Sequence, residues 1–203
     1  MVNNIYSIGH SNHNIKNLIS LLASNKIEFV IDVRSAPYSK LHPHFNKNSF
    51  EVYLKNNKMR YLYFGGSLGG RSHVKDDYFN GRVIYKRLAA KEEFKSAIKQ
   101  IVKISSQHKI VLMCSEKEPL ECHRTLLISQ EIQKIGMSVL HIHSNGRIES
   151  QEEILQRLLK IWHLEAPDLF GTDKERIEEA LLKQEMKIAY SDESMVDSWE
   201  NHQ

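Results

Sequence analysis

The chain has 203 residues, of which 41% are apolar and 26% charged, and it carries a net charge of +3 with only two cysteines. That length supports one substantial core, and two cysteines are too few for a disulfide scaffold of this size. No apolar run approaches the roughly 20 residues needed to cross a bilayer, and "MVNNIYSIGHSN" lacks a basic segment followed by a sustained apolar one, so a cytoplasmic protein with reduced thiols and no membrane partner is expected.

"NIYSIGHS" reads as a short strand, Ile5 to Ile8, ending at a glycine. In "NIKNLISLLASNKI" the apolar residues Ile15, Leu18, Ile19 and Leu22 have the spacing of a helix with one buried face. "EFVIDVRS" is an apolar run stopped by charge, and strand, helix and strand in about 30 residues suggest a β-α-β unit with parallel pairing. "APYSKLHPHFN" has two prolines and no period and reads as a loop with exposed histidines. "SFEVYLKNN" reads as a short helix, "MRYLYFG" as a strand, and "GGSLGGRSHVKDDYFNG" as a long glycine-bounded loop of the kind often tied to function.

Regularity then returns. "KEEFKSAIKQIVKIS" is amphipathic, with Phe94, Ile98, Ile101 and Ile104 on one side. "KIVLMCSE" reads as a buried strand, "HRTLLISQEIQKIG" as a helix ended by Gly136, and "SVLHIHSNG" as another strand, which makes a second β-α-β unit. "SQEEILQRLLKIW" and "KERIEEALLKQEMKIAY" are further helices. The expected fold is therefore α/β, a mostly parallel twisted sheet with helices on both faces in a Rossmann-like three-layer arrangement and a helical C-terminal extension. One domain is expected over residues 1–190, with a frayed polar tail over 191–203.

Charge is unevenly spread. Residues 34–109 hold sixteen Lys or Arg against five Asp or Glu, together with eleven of the seventeen aromatics, whereas residues 110–203 hold ten against eighteen. Basic residues interleaved with aromatics suit a phosphate backbone with stacked bases, and equally suit a small anionic substrate.

In open parallel sheets ligands bind beyond the carboxyl ends of the strands. The four proposed strand exits carry Gly9-His10-Ser11, Asp32-Val33-Arg34, Cys114-Ser115-Glu116 and His143-Ser144-Asn145-Gly146, which suggests a shared polar pocket. The block "MCSEKEPLECHRT" sets Cys114 at a strand end and Cys122-His123-Arg124 at the start of a helix, whose N-terminus favours anions and lowers a nearby thiol's pKa. The spacing of eight between the cysteines is not the C-x-x-C redox motif. Zinc through Cys114, Cys122, His123 and one of His10, His42 or His44 is the metal alternative, but no second close ligand pair accompanies it, so no metal is assigned and no cofactor identified. "GGSLGGRS" matches a phosphate-cradling loop apart from Arg71 in place of lysine, and the poor helix-former "HVKDDYFNG" after it argues against a nucleoside triphosphatase. Arg71 and Ser72 still suit a loop closing over an anion.

Taken together these segments resemble a bacterial and archaeal family known as domain of unknown function 488. The carrying pieces are "SIGHS" (7–11), "DVRSAPYS" (32–39), "HFN" (44–46), "LGGR" (68–71), "CSEKEPLECHR" (114–124), "HIHSNG" (141–146), "PDLFG" (167–171) and "KIAY" (187–190). Leu41 and His42 stand where members carry further basic residues, and Ser150 stands where they carry a histidine. The resemblance implies a compact α/β protein with a shared polar pocket and brings no established reaction.

The expected function is a cytoplasmic hydrolase or transferase acting on a phosphate-bearing, nucleotide or nucleic-acid-derived substrate. Arg34, Arg71 and Arg124 would hold the anion, with Ser11, Ser72, Cys114 and Asn145 as further binding groups. His10 or His123 would act as general acid or base, Asp32 or Glu116 would orient that histidine or act as base, and Cys122 would be nucleophile or ligand orienter. Two alternatives stand beside it. One is a non-catalytic nucleic-acid binder using the basic aromatic region 34–109; in the other the strand-end groups form an internal hydrogen-bond network and the chain binds a partner. The oligomeric state is not legible.

Overall fold

The computed structural model describes residues 4–11, 13–166 and 172–196. The "PDLFG" segment (167–171) and tail residues 197–203 lie outside them. The first half runs β1 (Ile5–Gly9), α1 (Ile15–Ser24), β2 (Phe29–Asp32), α2 (Lys47–Asn56), β3 (Arg60–Tyr63), α3 (Gly65–Leu68), β4 (Tyr78–Phe79), β5 (Arg82–Val83) and α4 (Tyr85–Ala90). The second half runs α5 (Glu92–Ser105), β6 (Ile110–Cys114), α6 (Ser129–Lys134), β7 (Val139–Ile142), β8 (Ile148–Ser150), α7 (Gln151–Ile161) and α8 (Asp173–Ile188).

The main sheet has six strands in the order β3-β2-β6-β1-β7-β8. It is parallel except for β8, which pairs antiparallel with β7. The two β-α-β units interlock. β6 lies between β1 and β2, and β1 lies between β6 and β7, so neither unit pairs its own strands directly. Parallel strands joined by a crossover leave room for a third between them, and sequence pattern carries no information on which strand fills the gap.

Alternation along the central strands divides the core in two. Ile5, Phe29, Ile31, Ile110, Leu112 and Val139 face a cluster built from Phe94, Ile98 and Ile101 of α5, Ile132 of α6 and Ile154 and Leu158 of α7. Ile8, Val30, Val111, Met113 and Ile142 face Leu18 and Leu22 of α1 and Phe50 and Leu54 of α2. Each of these side chains contributes about 1.5–3 kcal/mol on burial, so two helical layers clamp the sheet. The expected three-layer α/β fold is the observed one.

Local chemistry sets the helix starts. The Asn14 side chain accepts from the Lys16 N–H at 2.9 Å and begins α1. Ser150 with Glu153, and Thr172 with Glu175, form capping boxes at α7 and α8. Some expectations need correction. The long loop expected over 65–81 contains the single turn α3 and the strand β4, and β5 and α4 follow directly after it over 82–90, each too short to show a period. β8 hides in "RIES" for the same reason. The tail is not frayed at its start, because Ser191 bridges Arg82 and the Asp192 N–H donates to the Gly81 carbonyl at 2.7 Å.

A buried thiol, carboxylate and imidazole cluster at the strand ends

The sheet register brings the sequence-distant exits together. Gly9 pairs with Cys114 and Asp32 with Met113, and the His10 and Ser11 N–H groups then donate to the Cys114 and Ser115 carbonyls at 2.9 and 2.8 Å. This close seam requires glycine. A Cβ at Gly9 would come within 1.8 Å of the Glu116 carbonyl oxygen.

Two groups of polar side chains result. The first centres on Asp32, which is fully buried. Its carboxylate accepts from Arg34 Nε at 2.9 Å and Nη2 at 2.6 Å, from the Arg34 N–H at 3.0 Å and from the Tyr61 hydroxyl at 2.6 Å. Arg34 also donates from Nη2 to the Phe45 carbonyl at 2.8 Å and from Nη1 to His10 Nε2 at 2.9 Å. That last bond makes His10 an acceptor, and burial together with the adjacent guanidinium lowers its pKa to about 3. His10 is therefore neutral and its Nε2 is taken. His42 and His44 are partly buried rather than exposed, because the His44 ring packs 4.3 Å from that of the buried Phe45, which itself lies 4.4 Å from the His10 ring.

The second group is Cys114, Glu116, Cys122 and His123, whose ligand atoms all lie within 4.8 Å of one another. Glu116 Oε2 is 2.9 Å from both sulfurs, and His123 Nδ1 is 3.7 Å from Cys114 Sγ and 3.9 Å from Cys122 Sγ. His123 Nε2 lies 3.1 Å from the Val33 carbonyl oxygen and donates its proton there, so that in the neutral ring Nδ1 keeps a lone pair facing the sulfurs. A Cβ at Gly70 would come within 2.9 Å of the His123 ring, so the second glycine of "LGGR" lets the loop close over the imidazole.

Cys122 accepts from the Arg124 N–H at 3.4 Å at the start of a helical stretch whose first full turn, Arg124–Ile128, is π-helical. Such turns are frequent at functional sites. Arg124 itself is buried, donating from Nη1 to the Glu116 carbonyl at 2.6 Å. It clamps the loop that carries Glu116 and faces backbone, not the cavity. Burial and the neighbouring Cys122 push the Cys114 thiol well up. Against burial, the Cys114 S–H, Arg124 and His123 hold the Cys122 thiol well down. The Glu116 carboxyl is raised by burial and by the Cys122 sulfur, and the His123 imidazole is raised by Cys122 and Glu116 against burial.

A cavity of about 180 Å³ opens onto this cluster; its lining includes the buried Cys114 and His123 with Ser115 and Glu116, and also Arg34, Ser35, Arg71, Tyr85, Tyr190 and the exposed carboxylate Glu121. Arg71 is exposed, its backbone N–H donating to Ser35 Oγ at 3.1 Å and its guanidinium lying 4.5 Å over the Tyr190 ring. Of the candidate residues, Arg34, Arg71, Cys114, Glu116 and His123 line the cavity; Cys122 and Arg124 bond Glu116, and Asp32 and His10 bond Arg34. Ser11 and Ser72 do not line it. Ser72 bonds the Asp77 carboxylate, which also holds Lys91, and so fixes the loop. Asn145 does not join the site either, because the fourth exit turns away. Its side chain accepts from the Arg147 N–H at 3.0 Å within an exposed turn, beside an ion-pair group of His143, Glu149 and Arg157. Sequence reasoning missed Ser35, Tyr61 and Tyr190. Tyr190 was legible only as the last residue of "KIAY".

Among the described residues no helix is long and apolar enough to cross a membrane. Comparison with curated proteins finds no match. The family model "Domain of unknown function DUF488" matches residues 14–130, a span that includes Asp32, Arg34, Arg71 and the whole of "CSEKEPLECHR". With more than half of its length matched, the chain belongs to the DUF488 family.

Proposed function

We propose that this protein is a hydrolase or group transferase acting on a small phosphate-bearing substrate, a nucleotide or a nucleic-acid-derived fragment. The observation that supports the reading is the cavity itself: its lining brings together one exposed guanidinium, a thiol, a carboxylate and an imidazole. Arg71 grips the anionic group, since its planar fork matches phosphate oxygens and its side chain is spent only on stacking against Tyr190. Arg34 adds positive charge from the wall, locked in place by Asp32. Cys114, Glu116 and His123 then face the bond to be broken, close enough together to share proton transfer and nucleophilic work. Relative to the sequence reading, the roles shift. His10 becomes a support for Arg34, and Arg124 becomes a support for Glu116 and Cys122 in place of an anion clamp. The chemistry needs reduced thiols, which fits a cytoplasmic setting.

The experiment is a turnover screen of the purified chain with nucleotides, sugar phosphates and short single-stranded oligonucleotides, repeated with Arg71→Ala and Cys114→Ser. Expected is turnover of one phosphate-bearing class, reduced at least about 100-fold in both variants. Absence of turnover across the panel, together with no effect of phosphate on the accessibility of Cys114 to a thiol reagent, would overturn the reading. A nucleic-acid-binding reading has its own support in the exposed Tyr38, Tyr53 and Phe79 within the basic segment 34–109. It predicts oligonucleotide affinity that falls steeply with salt and survives Cys122→Ser.

A further inference from the structure

The geometry points to a soft divalent metal ion, zinc by its chemistry, bound by Cys114, Glu116, Cys122 and His123. The inference rests on the proposed reaction site and revises the roles there: with the ion bound, Cys114, Glu116 and His123 would serve as ligands, and the metal would supply the Lewis acid in place of their nucleophilic and proton-transfer work. Four potential ligand atoms lie within 4.8 Å of one another, contributed by the end of β6 and the start of the following helical stretch. The sulfur-to-nitrogen distances of 3.7 and 3.9 Å are close to the edge of a tetrahedron with bonds of about 2.0–2.3 Å, and Glu116 Oε2, now 2.9 Å from both sulfurs, would move outward by about half an ångström to take its vertex.

Three further observations bear on a metal independently of the cluster. The first is the His123 ring. A metal-bound histidine characteristically donates its other N–H to a carboxylate or backbone carbonyl, which fixes the tautomer and aims the lone pair, and His123 Nε2 does this with the Val33 carbonyl at 3.1 Å. The second is charge. As ligands, two thiolates and a carboxylate would bring three negative charges into a buried place, a divalent ion would remove two, and the buried Arg124, whose Nη1 lies 2.6 Å from the Glu116 carbonyl and whose backbone N–H lies 3.4 Å from Cys122 Sγ, would balance the third. The third is rigidity. Arg124 pins the Glu116 carbonyl, Gly9 packs against that same carbonyl, and Gly70 packs against the His123 ring, so two of the four ligands are held from behind. Glu116 is the hard oxygen ligand of the set and lines the cavity, which makes it the ligand that an incoming phosphate oxygen would displace.

Stripping the full-length chain of metal under reducing conditions and titrating it with Co²⁺ tests the inference. Expected is saturation at one ion per chain, with the intense visible bands of a tetrahedral site and a near-ultraviolet thiolate-to-metal band, both erased by one equivalent of Zn²⁺. Cys114→Ser and Cys122→Ser should each weaken Zn²⁺ binding at least about 100-fold, and Glu116→Gln about 10-fold. A weak octahedral spectrum, or full bands in the Cys114→Ser/Cys122→Ser double variant, would overturn it. Should the variants not fold, the wild-type chain decides alone: Zn²⁺ raising the melting temperature of stripped protein supports the site, and an unchanged melting temperature or an intramolecular Cys114–Cys122 disulfide in the isolated protein removes it. Turnover that persists in stripped protein would reject the metal and leave the proposed reaction standing. Bound Co²⁺ without turnover of any phosphate-bearing substrate would do the reverse.

Discussion

Gly70 lies so close to His123 that a Cβ at this position would stand 2.9 Å from the ring's Cγ and 3.0 Å from its Cβ. The imidazole cannot retreat, because Nε2 is tied to the Val33 carbonyl behind it. Gly70→Ala should therefore lift the loop or swing the ring. A destabilisation of about 1–3 kcal/mol is expected, the usual cost of overpacking a filled place. Thermal melting and turnover should fall together, and Gly66→Ala, with open space around its Cβ, should leave both unchanged. A Gly70→Ala variant with wild-type melting and turnover would show that the loop does not position His123.

Arg71 supplies the contrasting case of a residue free to act on a ligand. Its guanidinium is exposed and stacks on Tyr190 without an ion-pair partner among the described residues. Arg71→Ala should change stability by no more than about 0.5 kcal/mol, the range for surface substitutions. Substrate affinity should nevertheless fall about 10-fold or more, and Arg71→Lys should restore only part of it because an ammonium lacks the planar fork. Isothermal titration with the substrate class found active separates the two effects. Equal affinity in all three proteins would remove Arg71 from the site.

Much of this arrangement was readable from the sequence, and the reasons for success and failure are physical. The helix periods of Ile15–Leu22 and Phe94–Ile104 were long enough to reveal buried faces, and the apolar strands ended in reactive residues that the parallel sheet gathers at one edge. What could not be read is the role of each partner. Arg34 and Arg124 look alike in sequence, yet one reaches the cavity wall and the other is turned onto the Glu116 carbonyl. Cys114, Cys122 and His123 were legible as a metal alternative, but the fourth group that the fold sets beside them is Glu116, which sits inside the same loop and not among His10, His42 and His44. That choice depends on how residues 115–121 fold back, and no periodicity encodes it. Tyr61 was invisible because an aromatic residue in a strand usually serves packing alone, and Tyr190, just beyond the end of α8, had only its place in "KIAY" to mark it.

The Asp32–Arg34 fork is buried at both ends, with relative exposures of 0% and 4%, so its two halves are not interchangeable with neutral groups. Asp32→Asn would leave the Arg34 charge uncompensated beside His10, and about 3–5 kcal/mol of destabilisation is expected from breaking a buried pair on one side. Tyr61→Phe removes only one hydrogen bond to the same carboxylate and should cost about 1 kcal/mol. Chemical denaturation of both variants gives the comparison. Losses of equal size would mean that the ion pair contributes no more than the hydroxyl.

The buried histidines set how the fold responds to acid. Burial and then Arg34 hold His10 down at about 3, and burial and then Arg124 hold His141 down at about 4, with its ring fixed between Ser7 Oγ at 2.7 Å and Gln151 Oε1 at 2.6 Å. In the unfolded chain both titrate near 6.5, so between that value and the folded one the unfolded state binds more protons. Stability is therefore fully present above pH 6.5 and is lost as pH falls through the folded values. From pH 7 to pH 5 each histidine should remove about 2 kcal/mol, before other groups add theirs. Replacing His141 with Gln removes one titrating group, so the variant should lose about half as much of this histidine-linked stability over that interval as the wild type. Unfolding free energies at pH 7, 6 and 5 for both proteins check it, and parallel pH profiles would show that His141 titrates in the fold as it does in the unfolded chain.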